Sequence, residues 1–467
     1  MLNRTEKVEE KLDGALKNTT TFKYESNDNL LERTHDRIFT TYEYDVRDLT
    51  SKVVNGKSAS DTAKKTTTYT YTKRAQVDTE KKGNGNTVTY SYYLDQQLRH
   101  QQEKKSSGAI VNEHTIEYDA NGHRSKDVAK KQNADNKSQT LDTTTTYTYD
   151  PRDRIREQKK TGHGASTETY VHDANSNVIE QEIKSVKTTF NYDRNRLKSS
   201  STAGIETTYK YDDFGRQTTT TTAGTDTEKY EYDGFDRVTK HTKTPGEDTV
   251  YKYDPLDRQI SREKGDKTTE LFYVGLTDQV IAEEEGGKLR KSYQYGPNGE
   301  LLSQAKFKDN GSYEDSYQGY NPHTDVEQLT DEQGDSRATY GYTAYGKDDE
   351  SQFTGADKPG ADPTGEPYNA YRFNGKRFDQ SSGDYDMGFR DYDPGLNRYL
   401  TQDQYNGALD DMSLATDPFT NNRYAFGGGN PISQVEIDGH FSLSDIGHAA
   451  LDVAGLVPGV GEVADLA

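Results

Sequence analysis

YKYDPLDRQI, residues 251–260, follows YEYDGFDRVT at 230–239, which follows YKYDDFGRQT at 209–218. In an extended chain Tyr251 and Tyr253 point to one face and Lys252 to the other. Asp254-Pro255-Leu256-Asp257 is turn chemistry, because aspartate bonds nearby backbone and proline fixes the φ of the second turn position. Arg258 stands four residues after Asp254, placed to cross the turn toward a carboxylate as the returning strand begins. One phrase therefore predicts one β-hairpin.

The phrase recurs with a period. Its aspartates fall at Asp150, Asp173, Asp193, Asp212, Asp233 and Asp254, and Arg154, Arg216 and Arg237 repeat the place of Arg258. Looser copies at 42–48, 69–75, 90–98 and 116–124 put the start of the repeat near residue 40. Threonine-rich alternating runs such as TTTTYTYD (143–150) lie between copies and suit strands, since β-branched and aromatic residues pack well on a pleated surface. The fold class is all-β.

Size gives a shape. About 14 hairpins between residues 40 and 345 supply roughly 28 strands, or roughly 135 Å of sheet at about 4.8 Å per strand. Open twisted sheets rarely pass about ten strands without curling. Curled once, this one would be a ring roughly 40 Å across, barely wide enough inside for a domain of about 100 residues. The expectation is a long curled or spiral sheet.

Composition agrees with a tyrosine-built core. The chain has 467 residues, 29% hydrophobic by count, with 35 tyrosines, no tryptophan and no cysteine. Mean hydropathy of -1.13 alone would suggest disorder, but disordered chains are poor in aromatics. Zero cysteines excludes disulfides and thiolate metal sites. A net charge of -20 argues against a nucleic-acid groove. Asp173, Asn175 and Asn177 alternate as in a calcium loop, but Val178 and Lys184 stand where its glycine and glutamate belong. No HExxH is present, so no metal or cofactor is expected, and a lone histidine such as His323 reads as a turn or core hydrogen bonder. For the repeated tyrosines the structural reading is hairpin packing, and the alternative is a ladder of rings that binds cell-wall carbohydrate.

The phrases resemble the YD repeats of the rearrangement-hotspot (Rhs) family of polymorphic toxins. The stretch at 271–304 resembles the lead into that family's core, and YNPHTDVEQLTDEQGDSRATYGYTAYG (320–346) carries its H-T-D, L-T-D, Y-x-A-Y-G pattern. YRFNGKRFDQSSGDYDMGFRDYDPGLNRYLTQDQ (371–404) and YAFGGGNPISQVEIDGH (424–440) resemble the Rhs-associated core, in the manner of the wall-associated protein A type of Gram-positive bacteria. The resemblance implies a lead-in at 1–40, a hairpin shell at 41–304, a core plug at 305–440 and a pre-toxin helical segment at 441–467. It also implies a secreted, cell-wall-associated shell that encloses a C-terminal toxin and delivers it by contact in interbacterial competition, with an immunity protein binding the toxin and not this region. A cell wall or target-cell surface is a further expected partner. No nuclease domain or transmembrane span is read here, and a signal peptide is expected upstream of Met1.

In many relatives the core also cuts the chain just after itself. Two carboxyl groups sharing a proton can do this, one activating water and the other protonating the leaving amide. The family pattern points to Asp403 and to Glu436 or Asp438, with Arg398 nearby and the scissile bond at His440-Phe441. Asp417, in the intervening 405–418, is another candidate for the second acid. The chain departs from the family in writing Asp403-Gln404 for aspartate-proline and Glu436-Ile437-Asp438-Gly439-His440 for D-P-x-G-L. Self-cleavage and a purely structural ion network of Arg390, Asp393, Arg398 and Asp403 both remain open on sequence. Small apolar residues at helical spacing, a Ser444-Asp445 cap and a Pro458-Gly459 break predict helix beyond the core.

Overall fold

The computed structural model describes residues 4–12, 14–296, 299–360, 366–404, 422–440 and 442–444. Asp417, Phe441 and the expected helices after 444 lie outside the described residues. Thirty-one strands, from Lys7–Leu12 to Thr354–Gly355, form one antiparallel sheet. Each pairs with its neighbours in sequence, and no ladder joins the first strand to the last among the described residues. No described helix is long and apolar enough to cross a membrane.

The unit is the hairpin read from the sequence. Tyr251 pairs with Arg262 and Tyr253 with Gln259, with a register shift between Lys252 and Tyr253. The same shift precedes Tyr44, Tyr71, Tyr92, Tyr211, Tyr232 and Tyr295. A β-bulge bends its strand and increases local twist. Repeated at the same end of successive hairpins, it bends the sheet in one sense.

Each turn is closed by its aspartate. Asp254 accepts from the Leu256 and Arg258 amides at 2.9 and 3.0 Å, and from Arg258 Nε at 2.7 Å. Asp257 follows at φ 62, the left-handed position that aspartate tolerates better than most residues. The arginine then reaches onward: Arg237 Nη1 donates to Asp254 O at 3.0 Å and Asp257 Oδ1 at 2.9 Å in the next turn. Arg216 binds the turn after it in the same way.

The second tyrosine reaches backward. Hydroxyls of Tyr44, Tyr71, Tyr92, Tyr192, Tyr232, Tyr253, Tyr273 and Tyr295 donate at 2.6–2.9 Å to the carbonyl of the first residue in the preceding hairpin's returning strand. The first tyrosine of the phrase is buried: Tyr42, Tyr69, Tyr90, Tyr170, Tyr209, Tyr230 and Tyr251 are no more than 9% exposed. Covering a large ring contributes roughly 2 kcal/mol of transfer free energy.

The sheet curls until its later strands lie against its first. Arg258 Nη2 meets Glu10 at 3.0 Å, the Gly275 amide donates to Thr20 Oγ1 at 3.1 Å, and Arg37 Nε meets Glu284 at 2.8 Å. The seam continues through Lys82 to Gln318 O at 2.7 Å and Lys160 to Asp349 at 2.8 Å. At its centre His114 Nε2 meets Glu327 at 2.6 Å, while His114 Nδ1 meets Asp127 at 3.0 Å. This closure is made by side chains, not by a strand ladder.

The described residues between 340 and 440 pack against the curled sheet. Tyr345 and Tyr170 meet edge to face at 5.0 Å, Tyr424 donates to Gly215 O at 2.6 Å, and Arg377 pairs with Glu283 at 2.9 Å. The turn chemistry begins earlier than the sequence pattern shows. The Glu25 amide donates to Asn29 O at 3.0 Å with Asp28 at φ 74, so a hairpin of the same kind lies upstream of residue 40. His323, in a turn, bonds Asp325 at 3.1 Å and Gln434 O at 3.0 Å.

Candidate processing site in the core

Four short strands, Arg377–Phe378, Tyr385–Asp386, Asp391–Asp393 and Arg398–Tyr399, form a second antiparallel sheet. Alternation sends Tyr385, Tyr392 and Tyr399 to one face, where with Phe373 and Phe426 they are no more than 2% exposed. Tyr392 lies 4.3 Å from the Phe426 ring and 5.6 Å from that of Tyr399. On this base the Asp403 amide donates to Arg423 O at 3.0 Å, which sets Asp403 beside the 422–426 stretch.

The chain then returns at 436–440. Three successive carbonyls are taken: Ile437 O by Lys376 Nζ, Asp438 O by the Phe389 amide at 2.9 Å, and Gly439 O by Arg390 Nε. Gly439 has φ 89, and a Cβ there would lie 3.1 Å from the Arg390 amide nitrogen. Glycine at this position lets the two stretches close. His440 is thereby delivered to Asp403, with Nδ1 and Oδ1 2.7 Å apart.

The same histidine meets the second predicted acid, since the His440 amide donates to Asp438 Oδ1 at 2.8 Å. Its ring stacks on Phe389 at 4.5 Å. Arg390 Nη2 lies 3.2 Å from Asp403 Oδ2, its Nη1 donates to Arg423 O at 2.9 Å, and its guanidinium covers the Tyr399 ring at 3.6 Å. The structure thus brings Asp403, Asp438 and His440 together.

Glu436 is buried beside Tyr399, whose hydroxyl is pushed well above its ordinary pKa first by burial and then by that carboxylate. Arg398 stands elsewhere. It donates to Asn195 O at 2.5 Å and lies over Tyr192 and Tyr424, so it ties the core to the hairpin wall. Period-two alternation explains this: Tyr399 faces Arg390 and Glu436, so its neighbour faces the other way. The arginine beside Asp403 is Arg390, which the sequence offered only as part of a structural network. Asp393 caps its own turn, accepting from the Gly395 and Leu396 amides at 2.7 and 3.1 Å. Lys376 and Phe389 were not singled out by their sequence context. The only local hint was Gly388, a bend just before Phe389-Arg390.

A carboxylate whose two oxygens meet an imidazole and a guanidinium is held as an acceptor. Such a group suits activating water better than donating a proton. Elsewhere in the core, burial and the nearby carboxylates of Asp386 and Asp379 push Asp391 up to about 8. Tyr230 and Tyr251 of the hairpin wall donate to Asp384 at 3.1 Å and Asp379 at 2.8 Å. These acids seat the core on the wall.

Fold and core together define a curled hairpin-repeat shell with an internal core. No known family model matches the chain. In sequence it is similar to the tRNA3(Ser)-specific nuclease WapA of Bacillus spizizenii, 31% identical over 162 residues that make up 34% of this chain and 6% of that protein. The tRNA nuclease WapA of Bacillus subtilis is 28% identical over 162 residues, again 6% of its length. In structure the chain is similar to the Photorhabdus luminescens Tc holotoxin pore, with a TM-score of 0.73 at 16% identity, over 92% of this chain and 21% of that one. The matched stretches are small parts of these longer proteins. The sequence relatives and the fold support the resemblance of the repeated phrases to the Rhs/YD-repeat family.

Proposed function

We propose that this chain is the enclosing and delivering shell of a secreted, cell-wall-associated toxin polypeptide used against neighbouring bacteria by contact. The observation that carries the reading is the sheet itself, curled until its later strands meet the first, with the core packed against it. Residues 41–304 act as wall, continued by the strands of the same sheet to Gly355, and the remainder of 305–440 acts as plug. The passenger, of the tRNA nuclease class named for the relatives, follows the core, and an immunity protein recognises that passenger alone. The test is a fusion of a tRNA nuclease domain after Ala467, treated with protease. A passenger digested more slowly than the free domain supports enclosure, and equal digestion refutes it.

A second reading concerns the core. The convergence of Asp403 on the His440 imidazole and of Asp438 on the His440 amide favours a single self-cleavage after His440. Intact mass under denaturing conditions tests it. Loss of the segment after His440 that Asp403→Asn blocks establishes the cut, and an uncut chain in every condition counts against it.

A further inference from the structure

We propose that the seam holds a binding site for a small monovalent cation, of the size of potassium or ammonium, between Glu80, Gln101 and Gln318. Antiparallel pairing sets Glu80 opposite Tyr69 and Gln101 opposite Tyr90, so each polar side chain shares a sheet face with its ring. Val88 also lies opposite Glu80 and stands two residues before Tyr90, which puts all of these on one face. Gln318 and Tyr320, from the strand Tyr313–Tyr320, meet them across the seam. Together they line a cavity of about 50 Å³, room for an ion the size of a water molecule with part of its hydration. Because Gln101 and Gln318 come from opposite sides of the seam, an ion held by both would tie the sheet where no strand ladder does.

Acceptors exceed donors in this cavity. Gln101 is 6% exposed and Gln318 2% exposed. Gln101 Nε2 is spent on Tyr320 O at 2.6 Å and Gln318 Nε2 on Gln304 Oε1 at 3.4 Å, and neither Oε1 accepts from a donor among the described residues. A buried acceptor without a donor is costly. Charge is out of balance in the same sense, since Glu80, Glu103 and Glu300 line the cavity against one described cation, Lys82. Lys82 Nζ is committed to Glu103 Oε2 at 2.6 Å and Gln318 O at 2.7 Å, while Asn86 donates to the other Glu103 oxygen at 2.7 Å. Glu80 accepts from the Tyr90 hydroxyl at 3.4 Å, and burial raises its pKa against the pull of Lys82 and with the push of Glu103. A positive charge here would gain two amide oxygens and a carboxylate, beside tyrosine rings whose faces attract cations. Neutral oxygens and rings suit a weakly hydrated monovalent ion. Among the described residues no three histidine or acidic side chains converge as a calcium or transition-metal site requires.

The thermal midpoint of the full chain is measured at constant ionic strength while N-methylglucamine chloride, whose cation is too bulky for the cavity, is replaced by potassium, ammonium or sodium chloride. Potassium and ammonium should raise the midpoint by on the order of 2–5 °C along a saturating curve. Equilibrium dialysis against radioactive rubidium, a potassium analogue, should retain a single ion per chain, displaced by potassium and ammonium but not by N-methylglucamine. Glu80→Gln keeps the shape and removes the charge, Gln318→Met removes an oxygen, and each should weaken rubidium binding on the order of tenfold. Glu43→Gln, at the exposed pair with Lys52, should leave it unchanged. If Glu80→Gln does not fold, Gln318→Met decides by the same criterion, and the wild-type rubidium count depends on neither. Equal midpoints in every salt with no rubidium retained would mean that water serves these oxygens, and overturns the proposal. Undiminished retention by both folded variants overturns the location, and sodium as effective as potassium overturns the size.

Discussion

In the hairpin wall a tyrosine hydroxyl reaches back to a neighbouring backbone carbonyl, as Tyr253 does to Val238 at 2.8 Å, and the same contact recurs hairpin after hairpin. In the core the tyrosines turn to each other and to single partners. Tyr392 packs on Phe426 at 4.3 Å and donates to Tyr345 O at 2.8 Å, and Tyr385 packs on Phe373 at 6.0 Å and donates to Gly346 O at 3.1 Å. Each wall unit leans chiefly on its neighbours, as in other repeat proteins, so a local loss is shared along the sheet. The seam and the core depend on contacts between residues hundreds of positions apart. Damage there should be felt by the whole molecule.

The largest effect is expected at the seam. Glu327 is 4% exposed; burial would raise its pKa, yet His114 and Lys131 hold it down to about 2. Glu327→Ala leaves those two cations without their shared carboxylate, which should cost about 3–5 kcal/mol. Denaturant titration measures it. A loss no larger than that of a wall substitution would erase the distinction between seam and wall.

Acid should separate the regions next. Burial first, and Arg37 second, lower the pKa of His35 to about 4, and the side chain is 3% exposed. The unfolded state binds this proton between about pH 6.5 and 4 while the folded state does not, so stability falls with pH across that window. The loss from this residue is about 2–3 kcal/mol, and His35→Gln should flatten the profile there. His114 has the opposite sign. Burial lowers its pKa, but Asp127 and Glu327 overcome this and raise it to about 10. Its contribution is fully present below about pH 6.5 and is lost as pH rises toward 10. Melting midpoints across pH 4–10 should therefore show His35→Gln gaining on wild type as pH falls from about 6.5 to 4, and His114→Gln least stable relative to wild type below about pH 6.5, with that deficit shrinking as pH rises toward 10.

The asymmetry between wall and core also explains what the sequence could reveal. Hairpin, turn and arginine clamp are local, fixed by residues within five positions, and the phrase at 251–260 displays all three. The curl followed from repetition. The hairpin at 25–29 escaped because Glu25 replaces the aspartate, although the Glu25 and Asn29 backbone groups make the same turn. Which strands would meet across the seam was not legible, since His114 and Glu327 are joined only by the accumulated bend of the hairpins between them. At the core, Asp403, Asp438 and His440 were legible as a set. Arg390 was not separated from Arg398, because sequence shows that two arginines are near but not which face each one takes.

Within the wall, breaking one turn should cost less than breaking the seam. Asp233 accepts from Arg237 Nε at 2.7 Å, and Arg237 also binds the following turn. Asp233→Ala removes the acceptor for the Phe235 and Arg237 amides as well. The expected loss is about 1–2 kcal/mol, read from the denaturation midpoint, with hydrogen exchange rising around 233–237 and little changed in the core. A rise in exchange at 385–399 as large as that in the turn would show that wall and core are not separable.

The smallest effect is the most informative about how the wall is built. Tyr253→Phe keeps the ring and removes one hydrogen bond to Val238 O, a loss of about 0.5–1.5 kcal/mol. Tyr232→Phe removes the equivalent bond to Gln217 O. If each hairpin leans on its neighbour through an independent tyrosine, the double substitution should cost the sum of the singles to within about 0.5 kcal/mol. A coupling larger than that would mean that loosening one hairpin shifts the next. The bulges and forward arginine clamps would then pass strain along the sheet, and the wall would behave as one cooperative body like the core.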